Sequence, residues 1–156
     1  MSGTGWPDLS KLVPHAGQMR LLSAVLEHTP ERTVCRVDVE DSRLFLGPDG
    51  SVPGFLALEW MAQAVAAHAG LVAWRRGETP RPGLFLGARR ARIHVDAFRP
   101  GQTLHVVSRH LRGERRLAWF ECRVEDPDSG AALAEGRLSV YALETPGPAG
   151  EGDHGA

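Results

Sequence analysis

VPGFLALEWMAQAVAAHAGLVAWRRG, residues 52–77, is rich in strong helix formers and closes with two arginines and a glycine. Helix formers followed by terminal arginines and a glycine stop predict one long helix, at about residues 54–76. This helix is apolar nearly all round, so in a soluble protein it lies inside the fold rather than on a surface. A sheet must therefore wrap around it.

The same segment is long enough to cross a membrane, but Glu59, Gln63 and His68 interrupt it. A carboxylate inside a lone membrane span costs on the order of 3 kcal/mol. We therefore expect a buried helix of a soluble protein. The sequence does not open with a basic region before an apolar stretch, so a cytoplasmic location is expected.

Segments that alternate apolar and polar residues flank the helix: 20–27 and 33–40 before it, and 84–95, 103–112, 117–125 and 131–143 after it. Alternation of this kind indicates strands with one face in the core and one in water. Short turn sequences join the last four, so neighbouring strands are expected to pair antiparallel as a meander. Two strands, a buried helix and four more strands predict an α+β fold.

Bulk composition indicates one globular domain. Of 156 residues, 42% are hydrophobic and 24% charged, and one domain is expected over residues 1–145. Residues 146–156 are predicted to be a flexible tail, and residues 1–18 are predicted to be loose. The net charge of -1 argues against nucleic-acid binding. Cys35 and Cys122 fall in predicted strands without the spacing of metal ligands, so buried thiols are expected.

The basic residues are unevenly distributed. Six arginines fall in one span that contains only Glu78 as an opposing charge: Arg75, Arg76, Arg81, Arg89, Arg90 and Arg92. Such a cluster could receive an anionic partner, and the equally weighted alternative is a set of solvated edge and turn arginines.

Glu59 is the one acid of the predicted helix. Its apolar neighbours Leu58, Trp60 and Met61 predict that it loses hydration, and desolvation makes a carboxyl group better able to hold and transfer a proton. Gln63, one turn later on the same face, is placed to orient it. The alternative is a carboxylate at the helix edge that pairs with a surface arginine.

Gly54 directly precedes the helix. The first N–H groups of a helix are unpaired and its dipole is positive there, so a glycine lets a polarised carbonyl group come close. The alternative is that Pro53 and Gly54 only mark the start of the helix.

Histidines are the remaining candidates for acid–base chemistry. His15 follows Pro14 ahead of the first strand. His68 lies about 180° around the helix from Glu59, at about 100° per residue, so it is predicted to be a core or interface histidine. Three others are predicted to face solvent on strands: His94, His105 and His110. No HxxxH, CxxC, GxSxG or phosphate-loop pattern supports metal hydrolysis, a serine triad or nucleotide binding.

Three segments together resemble the 3-hydroxyacyl-acyl-carrier-protein dehydratases. Residues 52–64, VPGFLALEWMAQA, are similar to that family's MPGxLxxEAMAQA motif. Residues 14–25 resemble its PHRxPxLLxDxV opening, and residues 98–104, FRPGQTL, its PxxPGDxL turn. The segments occur in the family's order. Residues 83–89, GLFLGAR, are similar to the GFLLGTR segment of the subgroup associated with aryl polyene clusters.

This resemblance implies the hotdog fold, an antiparallel sheet wrapped around one central helix, in a dimer. In the family a histidine removes the C2 proton, an acid on the partner's helix protonates the departing hydroxyl, and a glycine amide polarises the thioester carbonyl. Glu59 and Gly54 match the last two roles. Phe45, Phe55 and Gln63 are the expected substrate-binding residues. The substrate is carried on phosphopantetheine, so no other cofactor is implied.

The chain departs from the family at the catalytic histidine, which normally stands nine positions before the glycine. A gapless match places Phe45 there, in FLGPDGSVPG. Elimination needs both an acid and a base, each contributing about 10²- to 10⁴-fold. Three interpretations stay open: His15 takes the role, a His-bearing homologue completes the site in a heterodimer, or the chain only binds and presents acyl groups.

The sequence therefore predicts a dehydratase, a hydro-lyase, or a dehydratase subunit in fatty acid, polyene or polyketide-like synthesis, including secondary metabolism. An acyl carrier protein is the expected partner, and its predicted landing patch is formed by Arg75, Arg76, Arg89, Arg90 and Arg92. A non-catalytic acyl-binding or partner-stabilising subunit is the alternative of a different class. A thioesterase is the alternative enzyme, because one fold can host several reactions.

Overall fold

A computed structural model describes residues 5–143, so the predicted tail at 146–156 lies outside the described residues. The α-helices are α1 (Leu9–Leu12) and α2 (Leu56–Arg75). The strands are β1 (Ala24–His28), β2 (Arg32–Asp38), β3 (Val52–Pro53), β4 (Gly83–Ile93), β5 (Ala97–Phe98), β6 (Thr103–Glu114), β7 (Leu117–Glu125) and β8 (Ala132–Ala142). Single 3-10 turns lie at Gly17–Met19, Val39–Asp41 and Arg43–Phe45.

Six strands form one antiparallel sheet in the order β1-β2-β6-β7-β8-β4. The predicted meander of the last four strands is wrong at its first step. β4 pairs with β8 at the sheet edge, and β6 pairs with β2. The reason lies in β5, which pairs with β3 in a small second sheet. After β4 the chain therefore passes beside the start of α2, where β5 pairs with β3, instead of turning back to pair with β4.

The central helix lies across the inner face of the large sheet, as predicted. Trp60, Met61 and Leu71 of α2 are fully buried, and they belong to one core with Leu104 and Leu138 of the sheet. The helix has the length and composition of a membrane span, but 61% of that stretch is buried inside the fold. The apolar segment is therefore the core helix of this fold. This agrees with the buried helix that its polar residues predict.

Two boundaries near the N-terminal strands differ from the prediction. β1 begins only at Ala24, because the backbone N–H of Leu21 donates to the side chain of Gln63 instead of to a neighbouring strand. β2 ends at Asp38, since the chain then enters a 3-10 turn. Cys35 and Cys122 are fully buried free thiols, which confirms that prediction.

Residues 9–15, here called the N-terminal strap, are packed against the helix rather than loose as predicted. Leu12 and Val13 are 3% and 4% exposed. The strap crosses α2 at Gly70, where an added Cβ would lie 2.5 Å from the Leu12 carbonyl oxygen. A glycine at this point of the helix therefore permits the crossing, and it fixes where the strap continues to His15.

Candidate active site

An apolar cavity of about 250 Å³ lies between α2 and the side of the sheet formed by β4, β7 and β8. Alanines on one face of the helix form one wall, and the sheet forms the other with Ala118, Phe120 and Val140. Glu59 and His15 also line this cavity. A candidate acid and a candidate base therefore border the same apolar space.

His15 and Glu59 are in contact within one chain. The distance from His15 Nε2 to Glu59 Oε1 is 3.4 Å. The second ring nitrogen of His15, Nδ1, is buried and has no hydrogen-bond partner among the described residues. A contact through Nε2 leaves Nδ1 as the nitrogen whose lone pair can accept a proton.

Gln63 hydrogen-bonds both to Glu59 and to the chain segment that follows His15. Its side-chain nitrogen donates to Glu59 Oε1 at 3.1 Å and to the Met19 carbonyl at 2.8 Å, and its oxygen accepts from the Leu21 N–H at 2.8 Å. Gln63 is fully buried and is not among the residues that line the cavity. Its hydrogen bonds hold Glu59 and the chain that follows His15, and its predicted contact with substrate stays a prediction.

Glu59 itself is less buried than its apolar neighbours predict. Its side chain is 40% exposed, against 29% for His15. The acid has partners, but within residues 5–143 they are His15 and Gln63 rather than the surface arginine of the alternative interpretation. The chain by itself therefore leaves the site open to water on one side.

The aromatic residues expected to bind substrate lie elsewhere. Phe55 is 63% exposed just before α2 begins. Phe45 is half-buried and packs against the hydrophobic core, outside the cavity lining. The structure of one chain does not bring either residue to the His15–Glu59 pair, and their substrate contacts stay a prediction.

Gly54 is tightly packed at the start of the helix. Its N–H donates to the Asp96 carbonyl at 2.8 Å, and an added Cβ would lie 2.1 Å from the Val95 carbonyl oxygen. The close approach of residues 95–96 is thus sufficient to require a glycine here. The amide that the resemblance assigns to a thioester carbonyl is engaged within the chain.

The arginines of the predicted carrier-protein patch lie on two elements, the end of α2 and β4, and their contact with a carrier protein stays a prediction. Arg75 and Arg76 lie at the end of α2. The pKa of His28 on β1 is lowered by burial and then by the charge of Arg75, so Arg75 lies near that edge of the sheet. The other three arginines lie on β4, at the opposite edge: Arg89, Arg90 and Arg92. Five strand spacings of about 4.8 Å separate the two edges, roughly 24 Å.

Two further histidines, His68 and His110, pack inside the fold. His68 is 3% exposed, and its Nδ1 lies 2.8 Å from the Thr33 hydroxyl, which confirms the predicted core histidine. His110 was predicted to face solvent, but it stacks on His68 and packs edge-on against Phe120. The prediction failed because His110 continues the inward-facing alternation of β6, in which Leu104, Val106 and Ser108 are buried. Within residues 5–143 no cluster of His, Cys, Asp and Glu suited to holding a metal occurs.

Comparison with known proteins gives two kinds of likeness. The family described as ApeP-like, ApeP dehydratase, matches residues 7–148. The dehydratase heterocomplex ApeI:P from Xenorhabdus doucetiae contains a chain that is 30% identical, with a TM-score of 0.83, over 90% of this chain and 93% of that chain.

More distant likenesses show the fold alone. A putative esterase from Mycobacterium tuberculosis is 18% identical, with a TM-score of 0.59, over 80% of this chain and 93% of that chain. Thioesterase superfamily member 2 from Mus musculus is 17% identical, with a TM-score of 0.57, over 78% of this chain and 81% of that chain. No protein of curated function matches the sequence.

Proposed function

Because this chain belongs to the ApeP-like dehydratase family, we propose that it removes water from 3-hydroxyacyl thioesters carried on an acyl carrier protein, with Glu59 as acid and His15 as base. The family confirms the predicted dehydratase, the hotdog fold and the aryl polyene subgroup that residues 83–89 resemble. The assignment of roles to individual residues is the proposal.

The contact between His15 Nε2 and Glu59 Oε1 carries this proposal. His15 Nδ1 takes the proton from C2, and the electrons of that C–H bond form the new double bond as the C3–O bond breaks. Protonated Glu59 gives its proton to the departing hydroxyl, which leaves as water. The products at the site are a charged histidine and a carboxylate 3.4 Å apart. The Nε2 proton of His15 can pass to Glu59 across this contact, and exchange with water then removes the Nδ1 proton and returns one to Nε2, which restores the starting state.

Gly54 enters this scheme on one condition. Its N–H must exchange the Asp96 carbonyl, now at 2.8 Å, for the thioester carbonyl of the substrate. The positive end of α2 favours such a carbonyl, since charge develops on its oxygen in the transition state.

A second hotdog subunit is the expected partner. β4 is an edge strand whose apolar side chains are about half exposed, with values of 51%, 45% and 51% at Leu84, Phe85 and Leu86. An exposed apolar edge of this kind favours pairing with another strand. The relative from Xenorhabdus doucetiae is part of a dehydratase heterocomplex, which supports a heterodimer here. A homodimer, and a histidine on the partner, stay predictions. We place the complex in the cytoplasm.

The test is a dehydration assay on the protein alone with 3-hydroxyacyl thioesters. His15→Ala and Glu59→Gln are each expected to lower kcat/KM by about 10²- to 10⁴-fold. His94→Ala is the matched control, because His94 forms an equally long contact with Glu135 at 3.4 Å outside the cavity. Full activity in Glu59→Gln, or in His15→Ala, refutes the proposed roles.

A non-catalytic acyl-binding subunit is the second candidate, and Phe45 favours it. This residue stands where the family keeps its histidine, and it packs into the core. The candidate predicts that the chain binds acyl thioesters without dehydrating them, and that turnover appears only when a His-bearing homologue is added. Release of free thiol instead of an enoyl thioester would identify a thioesterase.

A further inference from the structure

The edge strand β4 has two halves of different chemistry. Its first half exposes apolar side chains at residues 84–86, and its second half exposes three arginines: Arg89, Arg90 and Arg92. Residues 79–95 contain no acid, so β4 carries no carboxylate. β4 is the last strand in the order of the sheet, and within residues 5–143 no strand lies along its outer edge.

A β-bulge brings the arginines of β4 to one face of the sheet. Arg89 lies opposite Arg137 of β8, and Arg92 lies opposite Glu135. Glu135 and Arg137 flank the buried Gly136, so both point away from the core. Residues three positions apart in a regular strand point to opposite faces. The extra residue of the bulge therefore puts Arg89 and Arg92 on the same outer face.

This arrangement is locally unfavourable. Arg90 has a φ of 53°, a left-handed conformation that disfavours a residue with a Cβ atom, and Arg89 directly opposes another arginine. Arg90 and Arg92 line one shallow depression of the outer face. Glu135, the acid opposite Arg92, contacts His94 at 3.4 Å. Within residues 5–143 the three arginines of β4 form no ion pair, so the single chain leaves their charges uncompensated.

A second copy of this chain does not complement β4. In a symmetric interface, residue i contacts residue j and residue j contacts residue i. Two 11-residue strands that pair antiparallel with full overlap share an axis at residue 88, which places Leu84 opposite Arg92 and Leu86 opposite Arg90. Each apolar half then lies against a cationic half. Because β4 has no acid, no other register supplies a carboxylate from the facing copy of β4 either.

An edge strand with acidic residues would complement the cationic half of β4. Side chains that lie directly opposite on paired strands have Cβ atoms about 5 Å apart, and opposite charges at that distance stabilise the pairing. Like charges in contact suppress the wrong partner, so the arginines also affect which partner is chosen.

We propose that β4 selects a different hotdog subunit over a second copy of this chain. The edge strand of that subunit carries apolar residues opposite residues 84–86 and carboxylates opposite Arg89, Arg90 and Arg92. The arginines are then a partner-selecting cluster. The inference rests on the proposed function for the pairing of a hotdog subunit along β4, and it does not involve the roles of His15 and Glu59.

The experiment uses a variant of this chain as the probe for an acidic edge. Leu84→Glu/Leu86→Glu places two carboxylates opposite the arginines of a facing copy. Both leucines are about half exposed and neither lines the cavity, so the fold and the site are preserved. The matched control is Leu84→Gln/Leu86→Gln, which is polar without a charge. Sedimentation of labelled and unlabelled chains measures the Kd of each self-pairing and of each mixed pairing.

A pair of wild-type chains has no complementary half, a mixed pair of wild type and the glutamate variant has one, and a pair of glutamate variants has two. The Kd is expected to fall in this order, by about tenfold for each complementary half. The glutamine variant should associate no more tightly than wild type. Raising the salt concentration from about 0.05 M to about 0.5 M should weaken the pair of glutamate variants, because salt screens their ion pairs.

A wild-type homodimer as tight as the pair of glutamate variants overturns the inference, and so does equal association of the glutamate and glutamine variants. Equal Kd values for the three pairings, with loss of acyl carrier protein binding in Arg89→Gln/Arg92→Gln, would assign the arginines to the carrier protein instead. None of these results contradicts the proposed function, which the dehydration assay with His15→Ala and Glu59→Gln tests separately.

Discussion

Gly70→Ala tests whether the N-terminal strap positions His15. The new methyl group would lie 2.5 Å from the Leu12 carbonyl oxygen, whereas ordinary contacts begin at 3.4 Å, so the strap must move by about 0.9 Å. Overpacking of this kind costs about 1–3 kcal/mol. Alanine is more favourable than glycine inside a helix by about 1 kcal/mol. The free energy of unfolding should therefore fall by only about 0–2 kcal/mol.

The effect on catalysis should be larger than the effect on stability. His15 follows Leu12 by three residues, and its contact with Glu59 is already 3.4 Å long. A further displacement of about 0.9 Å breaks this contact, and a misplacement of about 1 Å can cost on the order of 10²-fold in rate. We expect kcat to fall by about that factor while the protein stays folded, as measured by dehydration kinetics and urea unfolding on the same preparation.

The control is Gly113→Ala on β6, because an added Cβ at Gly113 would make only ordinary contacts of 3.4 Å or more, to His110 and Leu117. This variant should keep the activity of the wild type. If Gly70→Ala also keeps full activity, the strap does not position the base and the reasoning from Gly70 to His15 is wrong. A loss of activity that merely follows the unfolded fraction would contradict it as well.

Two further predictions concern buried groups. The pKa of His68 is lowered from 6.5 to about 4, mainly by burial, so below pH 6.5 the unfolded chain binds a proton that the folded chain refuses. The free energy of unfolding should fall by up to about 1.4 kcal/mol per pH unit as the pH is lowered from 6.5 to 4, and it should fall less steeply in His68→Gln. Urea unfolding at several pH values measures both slopes, and equal slopes in wild type and His68→Gln would refute this. Burial raises the pKa of the Cys35 thiol to about 12 and also raises that of Cys122, so a disulfide reagent at pH 8 should modify neither thiol until the protein is unfolded. Rapid modification of the native protein would contradict the burial.

Local signals located the secondary structure well. The prediction of a helix at about 54–76 compares with Leu56–Arg75, and β7 was predicted with its observed bounds, because helix stops and alternation are written in neighbouring residues. The order of the strands in the sheet depends on pairing between segments that are far apart in the sequence. β4 lies at the edge because β5 pairs with residues 52–53, on the other side of the helix in sequence, and no turn sequence reports that pairing.

The candidate site was only half predictable for the same reason. Glu59 is visible as the acid of an apolar helix, whereas His15 lies in a segment without periodicity. One signal could have connected them, since a glycine inside a helix is unfavourable and often marks a close approach of another segment. Gly70 is such a glycine, and the strap that crosses the helix there continues to His15.

The proposed base, His15, comes from the chain's own strap, and this proposal changes what a partner has to contribute. In the family pattern the partner's histidine completes the site, but here His15 already contacts Glu59. The single chain does not shield the cavity from water. The Glu59 side chain is 40% exposed, and Phe85 of β4, which lines the cavity, is 45% exposed. A subunit paired along β4 would exclude water from the cavity, and exclusion of water strengthens every electrostatic interaction inside it. A partner without a catalytic histidine should then activate this chain as well as a His-bearing one does, whereas a strict requirement for the partner's histidine would place the base outside this chain.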